Sequence, residues 1–210
     1  MPAPGSAPAD RPRPGLRERK KTRTRAAIRE AAYALIEEQG YDATTVEQIA
    51  DRAEVSPSTV FRYFPAKEDI VLPEERDAAL LAQLRARPAD EPWTESVRHV
   101  ARHAARQAVD DEPEVTRLRT RLAAEVPAVR SRMTRSLSAT GHTLGRFIAE
   151  RTGLDPDGLE VRIAAVSLLG ALLETSLHWA EHSHIDDLAE LVDRTLDVLE
   201  HGLPTTAEKP

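Results

Sequence analysis

Three short hydroxyls and one guanidinium stand close together between positions 56 and 62: Ser56, Ser58, Thr59 and Arg62. At ~100° per residue, a helix through this run puts Ser58, Thr59 and Arg62 on one side and Val60 and Phe64 on the other. Hydroxyls can meet phosphate or either kind of base edge, and arginine can meet guanine or phosphate. The polar side therefore has the chemistry of a major-groove surface. An ordinary helical hairpin with a solvated face would carry the same residues, and the run by itself leaves both readings open. Other groups able to do chemistry are sparse. His99 with His103 and His178 with His182 are i, i+4 pairs, a spacing that can hold a metal on one helix face. Neither pair has the glutamate of a zinc-protease motif, and seven histidines generate such pairs readily, so no metal is expected and polar lining or surface is. There is no cysteine, hence no thiolate ligand or cysteine nucleophile. No glycine occurs between Gly40 and Gly141, which removes a phosphate-cradling loop from that span, and no serine sits in a nucleophile-elbow sequence. Neither an enzyme nor a cofactor is expected.

The elements that must position the polar run are helices. The first of two short ones is expected to open on a capping box, Thr44 reaching forward and Glu47 reaching back. Its positions Val46, Ile49, Ala50 and Ala53 fall at i, i+3, i+4 and i+7, one buried face. The second opens at Ser56 as N-cap with Pro57 at the first helical position, where a missing N–H does no harm. A longer helix from about Leu16 precedes them, with Ile28, Ala31, Ala32, Leu35 and Ile36 as its apolar stripe and Gly40 as a left-handed C-terminal cap. Together they make a three-helix unit.

The formal net charge of −6 is unevenly spread. Residues 11–25 hold eight Lys or Arg against Glu18 alone, a net of +7, whereas residues 66–210 carry a net of −8. Such asymmetry aims the basic end at phosphates and keeps the acidic remainder away. Arg23 and Thr22 lie where the first helix could approach a backbone or minor groove.

Residues 1–15 and 204–210 are rich in small residues and proline or polar, and are expected to be disordered. After Pro65, Lys67 begins a helix that runs to about Arg87 with an interruption at Pro73. Five further helical segments follow, near 93–109, 113–125, 127–152, 156–182 and 185–201, with Asp155-Pro156 read as an N-cap and first-turn proline. No strand alternation appears, so an all-α chain of about nine helices is expected, with domains at 16–72 and 73–203. No apolar run approaches the ~20 residues of a membrane span and the N-terminus lacks a signal-peptide core, so a soluble cytoplasmic protein without membrane contact is expected. The last two segments are apolar on more than one side: Ala165, Leu168, Leu169, Leu172 and Leu173 on one helix, Leu188, Leu191, Val192, Leu196 and Leu199 on the next. Such helices need cover on two sides, either from intramolecular core or from a second copy in an isologous four-helix interface. A homodimer is the preferred reading, since paired heads read palindromic half-sites.

The run TTVEQIADRAEVSPSTVFRYFPAKEDIV, following Gly40 and Tyr41, resembles the DNA-binding signature of TetR-type transcriptional regulators across about residues 17–72. The resemblance implies a DNA-binding helix-turn-helix domain, a regulatory and dimerisation domain, and repression relieved by a small effector. It implies DNA contacts from Arg23, Thr44, Thr45, Ser56, Pro57, Ser58, Thr59, Phe61, Arg62, Tyr63 and Lys67, with Tyr63 and Lys67 at phosphates. Two positions depart from the pattern. Glu54 replaces a usual turn glycine and costs ~1 kcal/mol if its φ is positive. Phe61 replaces a frequent tyrosine, so no phenol-to-phosphate bond carries over. The segment from Thr116 to His182 is similar to the C-terminal domain of mycofactocin-regulator-like members. That similarity implies an apolar effector cavity, in some members for an acyl chain, with Leu118, Leu122, Leu144, Phe147, Leu173, Leu177 and Trp179 as walls and Arg121, His142, Glu174 and His178 as polar anchors. The rival reading is a helical protein that senses a metabolite or metal without binding an operator.

Overall fold

The computed structural model describes residues 15–72 and 77–203. Those residues form ten α-helices and no strand. They fall into two compact units that divide between Ile70 and Val71. Of the tail expected at 1–15, Gly15 is described and caps the first helix; the rest of it, the tail expected at 204–210, and Pro73 with its expected helix break lie outside the described residues. The count exceeds nine because the helix after Pro65 is two elements, α4 (Lys67–Val71) and α5 (Asp77–Arg85).

The N-terminal unit is built on α1 (Leu16–Gln39), α2 (Val46–Arg52) and α3 (Pro57–Tyr63). Ile28, Ala32, Leu35, Ile49, Ala50, Val60, Phe64 and Ile70 close into one core. Gly40 ends α1 at φ +85°, ψ 164°, a region essentially reserved for glycine. The capping box at the start of α2 is Thr45 with Gln48, not Thr44 with Glu47: Gln48 N–H donates to Thr45 Oγ1 at 3.2 Å and Thr45 N–H to Gln48 Oε1 at 2.9 Å. Thr44 is buried instead, its hydroxyl donating to Gly40 O at 2.8 Å. Ser56 and Pro57 cap α3 as expected.

The α2–α3 turn places Glu54 at φ +54°, the strained position its side chain suggested. Glu54→Gly should therefore raise the stability of this unit by ~1 kcal/mol, read as a higher thermal midpoint. An unchanged or lower midpoint would show that the turn holds glutamate without strain.

The C-terminal unit comprises α5, α6 (Trp93–Asp111), α7 (Pro113–Glu125), α8 (Pro127–Thr152), α9 (Leu159–Glu181) and α10 (Leu188–His201). Asp155-Pro156 does not start α9. Asp155 Oδ1 accepts from Asp157 N–H and Asp155 O from Gly158 N–H, both at 3.0 Å, so the pair makes a side-chain-bonded turn and the helix begins at Leu159. The N-cap of α10 is Asp187, which accepts from Ala189 and Glu190 N–H, and Ile185 lies outside the helix. Contrary to expectation, α9 is long and apolar enough to cross a membrane by length and composition. In the fold it packs on α7, α8 and α10, burying Val161, Ala165, Leu168, Leu177 and Trp179. Arg98 of α6 reaches three acids of α10, Asp193 at 3.4 Å, Asp197 at 2.9 Å and Glu200 at 3.0 Å, and Arg85 of α5 pairs with Glu150 of α8. These pairs bridge helices whose packing energy comes from the apolar core between them.

Candidate nucleic-acid interface and effector cavity

Burial of Val60 and Phe64 fixes which side of α3 faces out. Pro57, Ser58, Phe61 and Arg62 are exposed along that side, with Thr59 and Tyr63 half-buried at its flanks. Ser56 Oγ accepts from Thr59 N–H at 3.2 Å and lies 2.9 Å from Ser58 Oγ and 3.0 Å from Thr59 Oγ1, so the three hydroxyls form one cluster at the start of the helix. The Arg62 guanidinium stands 5.4 Å from the Tyr63 ring centroid, an exposed contact that leaves its donors able to reach outward. Thr45 is exposed at the start of α2 and its oxygen is an acceptor in the capping box, so its own hydrogen can serve an outside acceptor. On α1, Arg17, Arg19, Lys20, Lys21 and Arg23 are exposed. Further along, the Arg25 and Arg29 guanidiniums lie 4.7 Å and 5.4 Å from the Phe64 ring centroid, behind the α3 edge.

Two expected contacts are placed elsewhere. Thr44 is 1% exposed and spends its hydroxyl on Gly40 O, so its side chain faces the core. Lys67 turns its ammonium inward, donating to Tyr41 O at 2.9 Å and Thr44 O at 3.0 Å and lying 3.9 Å from the Tyr41 ring centroid. It closes the α1–α2 connection rather than reaching for phosphate. Tyr41 donates to Glu68 Oε1 at 3.0 Å, and burial followed by that carboxylate pushes its phenol well above the usual range.

In the C-terminal unit an apolar cavity of about 270 Å³ lies among α5, α6, α8, α9 and α10. Leu84, Val97, Val100, Leu144, Leu168 and Leu172 supply much of its wall. Of the expected wall residues only Leu144 is there. Leu118, Leu122, Leu177 and Trp179 are buried outside it, Phe147 is buried in the same core cluster as the walls without lining the void, and Leu173 is half-buried. Arg121, His142 and Glu174 are exposed; Glu174 and His178 border a separate α9–α10 groove with Arg194. The missed walls had a signal in the sequence: Val97, Val100, Ala101, Ala104 and Ala105 recur at i, i+3, i+4, i+7 and i+8.

The His178 and His182 rings stack with centroids 3.9 Å apart, and His182 Nδ1 lies 2.8 Å from His178 O. Among the described residues, the group whose ligand atoms come close is Asp197, Glu200 and His201, and both of its carboxylates already pair with Arg98. The α9–α10 turn holds a different histidine. Ser183 and His184 sit at φ +59° and +58°, His184 packs edge-on against Trp179 at 4.4 Å, and its Nε2 lies 2.9 Å from Thr120 Oγ1 on α7. Burial, then the charges of Arg117 and Arg121, hold its pKa below the usual 6.5. The folded protein thus binds fewer protons here than the unfolded chain. Stability from this site is intact above ~6.5 and drains away as pH falls through the lowered folded value. Thermal midpoints should drop between pH 7.5 and 5, and His184→Gln should flatten that slope; an equally steep slope in the variant would assign it to other groups. Glu91, held at about 2 by Arg87 and then Ser96, stays ionised throughout this window.

A short, N-capped helix with an open polar edge, seated on a second short helix and flanked by a basic first helix, is a helix-turn-helix head, here joined to an all-helical domain. That combination defines a helix-turn-helix transcriptional regulator. Residues 28–72 match the family model for bacterial regulatory proteins of the tetR family, and residues 91–204 match that for the MftR C-terminal domain. The HTH-type transcriptional regulator TcmR of Streptomyces glaucescens is 31% identical over 207 residues, 94% of this chain and 92% of that protein. The chain belongs to the TetR family of DNA-binding transcriptional regulators, with a C-terminal domain of the MftR type. The fatty acid metabolism regulator protein of Bacillus subtilis is 26% identical over 183 residues, 84% of this chain and 93% of that one. Among solved structures, Thermus thermophilus FadR, a TetR-family repressor in complex with lauroyl-CoA, has a TM-score of 0.54 at 26% identity, covering 89% of this chain and 98% of that one.

Proposed function

We propose that this regulator is a homodimeric repressor that places two copies of α3 on a palindromic operator and releases it when a small apolar effector fills the C-terminal cavity. The observation that carries the reading is the α3 edge of Ser58 and Arg62, open to solvent with Thr59 at its flank, in the same unit as the exposed cations of α1. Those groups supply the two things operator binding needs, hydrogen-bonding readout and phosphate neutralisation. For the dimer, Leu159, Ile163 and Val166 of α9 are 68%, 55% and 67% exposed at i, i+4 and i+7, with Val198 and Leu199 exposed on α10. An apolar stripe on two adjacent helices suits a self-complementary four-helix interface.

For the effector, the cavity has almost wholly apolar walls and Ser176 as a polar group, whose hydroxyl donates to Leu172 O at 3.0 Å. Its volume, about 270 Å³, falls just below the ~300–1,000 Å³ typical of small-molecule sites. That favours a compact ligand or a chain of modest length. The acyl-CoA bound by the Thermus FadR and the fatty-acid role in the name of the Bacillus relative make an acyl chain the first class to test. Release follows from linkage: an effector that binds the DNA-free form better weakens operator affinity by that difference. Gel shifts on DNA flanking its own gene, titrated with acyl-CoAs of increasing chain length, test the reading. A shifted complex that dissolves at one range of chain lengths supports it; no complex at low salt overturns it.

A further inference from the structure

Phe61 lies on the same open edge of α3 as Ser58 and Arg62, yet its side chain has no atom that donates or accepts a hydrogen bond. It is 50% exposed, whereas the other large apolar side chains of this stretch, Val60 and Phe64, are 0% and 1% exposed. Ser58, Phe61 and Arg62 are spaced i, i+3 and i+4, so one helix face presents a hydroxyl, a phenyl ring and a guanidinium together. In the major groove nearly every group on a base edge is a hydrogen-bond donor or acceptor. A phenyl ring against such a group would strip its water and return no bond. The exception is the C5-methyl of thymine.

We infer that Phe61 selects thymine, its ring packing on the C5-methyl of one thymine in each operator half-site. This assignment rests on the operator-binding reading above. The polar partners on either side, Ser58 and Arg62, bond to neighbouring base edges or phosphate. At ~100° around the helix from Arg62, the ring meets a different base pair from the one the guanidinium meets. The phenylalanine at this position is then a determinant of sequence preference, not merely a tyrosine without its phosphate bond.

The test uses the full chain to enrich duplexes from a randomised 40-base-pair library. A thymine should appear at one fixed place in each half-site. Replacing that thymine by deoxyuridine removes only the methyl and should weaken binding roughly four-fold per half-site, and about sixteen-fold when both are replaced. Phe61→Ser should abolish the preference at that place alone and become indifferent to deoxyuridine, while Phe61→Leu keeps both. Circular dichroism confirms that the variants fold, and the deoxyuridine series on the unaltered protein needs no variant. Enrichment of no sequence overturns the operator reading, and this assignment with it. Enrichment with every thymine replaceable at no cost, or with the same cost in Phe61→Ser, overturns the assignment alone.

Discussion

Glutamate in place of Val166 is expected to split the protein into single subunits and to lower operator affinity roughly 10²–10⁴-fold, the gain that pairing two heads confers. Val166 is 67% exposed, so within one subunit the change leaves a solvated side chain and the helix intact. In a two-fold interface built from α9 and α10 the same change buries two carboxylates without partners, a cost of several kcal/mol. Ile163→Glu, one turn earlier and 55% exposed, should act alike. Sedimentation gives the subunit count, circular dichroism the fold, and gel shifts the affinity. The reading requires all three to agree: a folded monomer that binds DNA weakly. A variant that remains dimeric would move the interface to another face, and a dimer-free variant with full affinity would mean that one head suffices.

Much of the architecture was legible because its signals are local. The segments 113–125 and 127–152 open on prolines at the first helical position, and both have the expected bounds in the structure. Ser56 and Pro57 did the same for α3. What escaped depends on contacts between distant residues. The sequence TTVEQ contains two frames of the capping pattern, Thr44 with Glu47 and Thr45 with Gln48, and only the burial of Thr44 beneath α1 decides between them. Asp155-Pro156 fits a helix start and a tight turn equally, and the bond from Asp157 N–H selects the turn. The cavity walls come from five helices, so neither the spacing within one helix nor a resemblance of pattern could locate it. Leu118, Leu122 and Phe147 were sound as core positions and unsound as a guide to where the core leaves a void.

Arg62→Ala and Lys67→Ala should fail in opposite ways, although both remove one positive charge from the same unit. Arg62 is exposed and its guanidinium stands 5.4 Å from the neighbouring Tyr63 ring, so its removal should leave the thermal midpoint unchanged. On the operator it should cost ~1–3 kcal/mol per half-site and relax the preference at one base pair, as expected of a guanidinium bonded to a base edge. Lys67 is different because its ammonium already serves two carbonyls, Tyr41 O and Thr44 O, at the α1–α2 connection. Hydrogen bonds from a charged donor contribute ~1.5–3 kcal/mol each where shielded, and partial exposure here brings the expected loss for the pair to about 2 kcal/mol. The midpoint should therefore fall, and operator affinity should fall with it because the loop that delivers Thr45 loosens. The salt dependence separates this from a phosphate contact. Removing one cation from a phosphate flattens the slope of log affinity against log salt by about 0.9. Anisotropy titrations from low to physiological salt should show the slope of Lys67→Ala unchanged from the parent protein while its affinity drops. A flattened slope with an unshifted midpoint would instead put the Lys67 ammonium on the DNA backbone, and its inward hydrogen bonds would then be a resting state broken on binding.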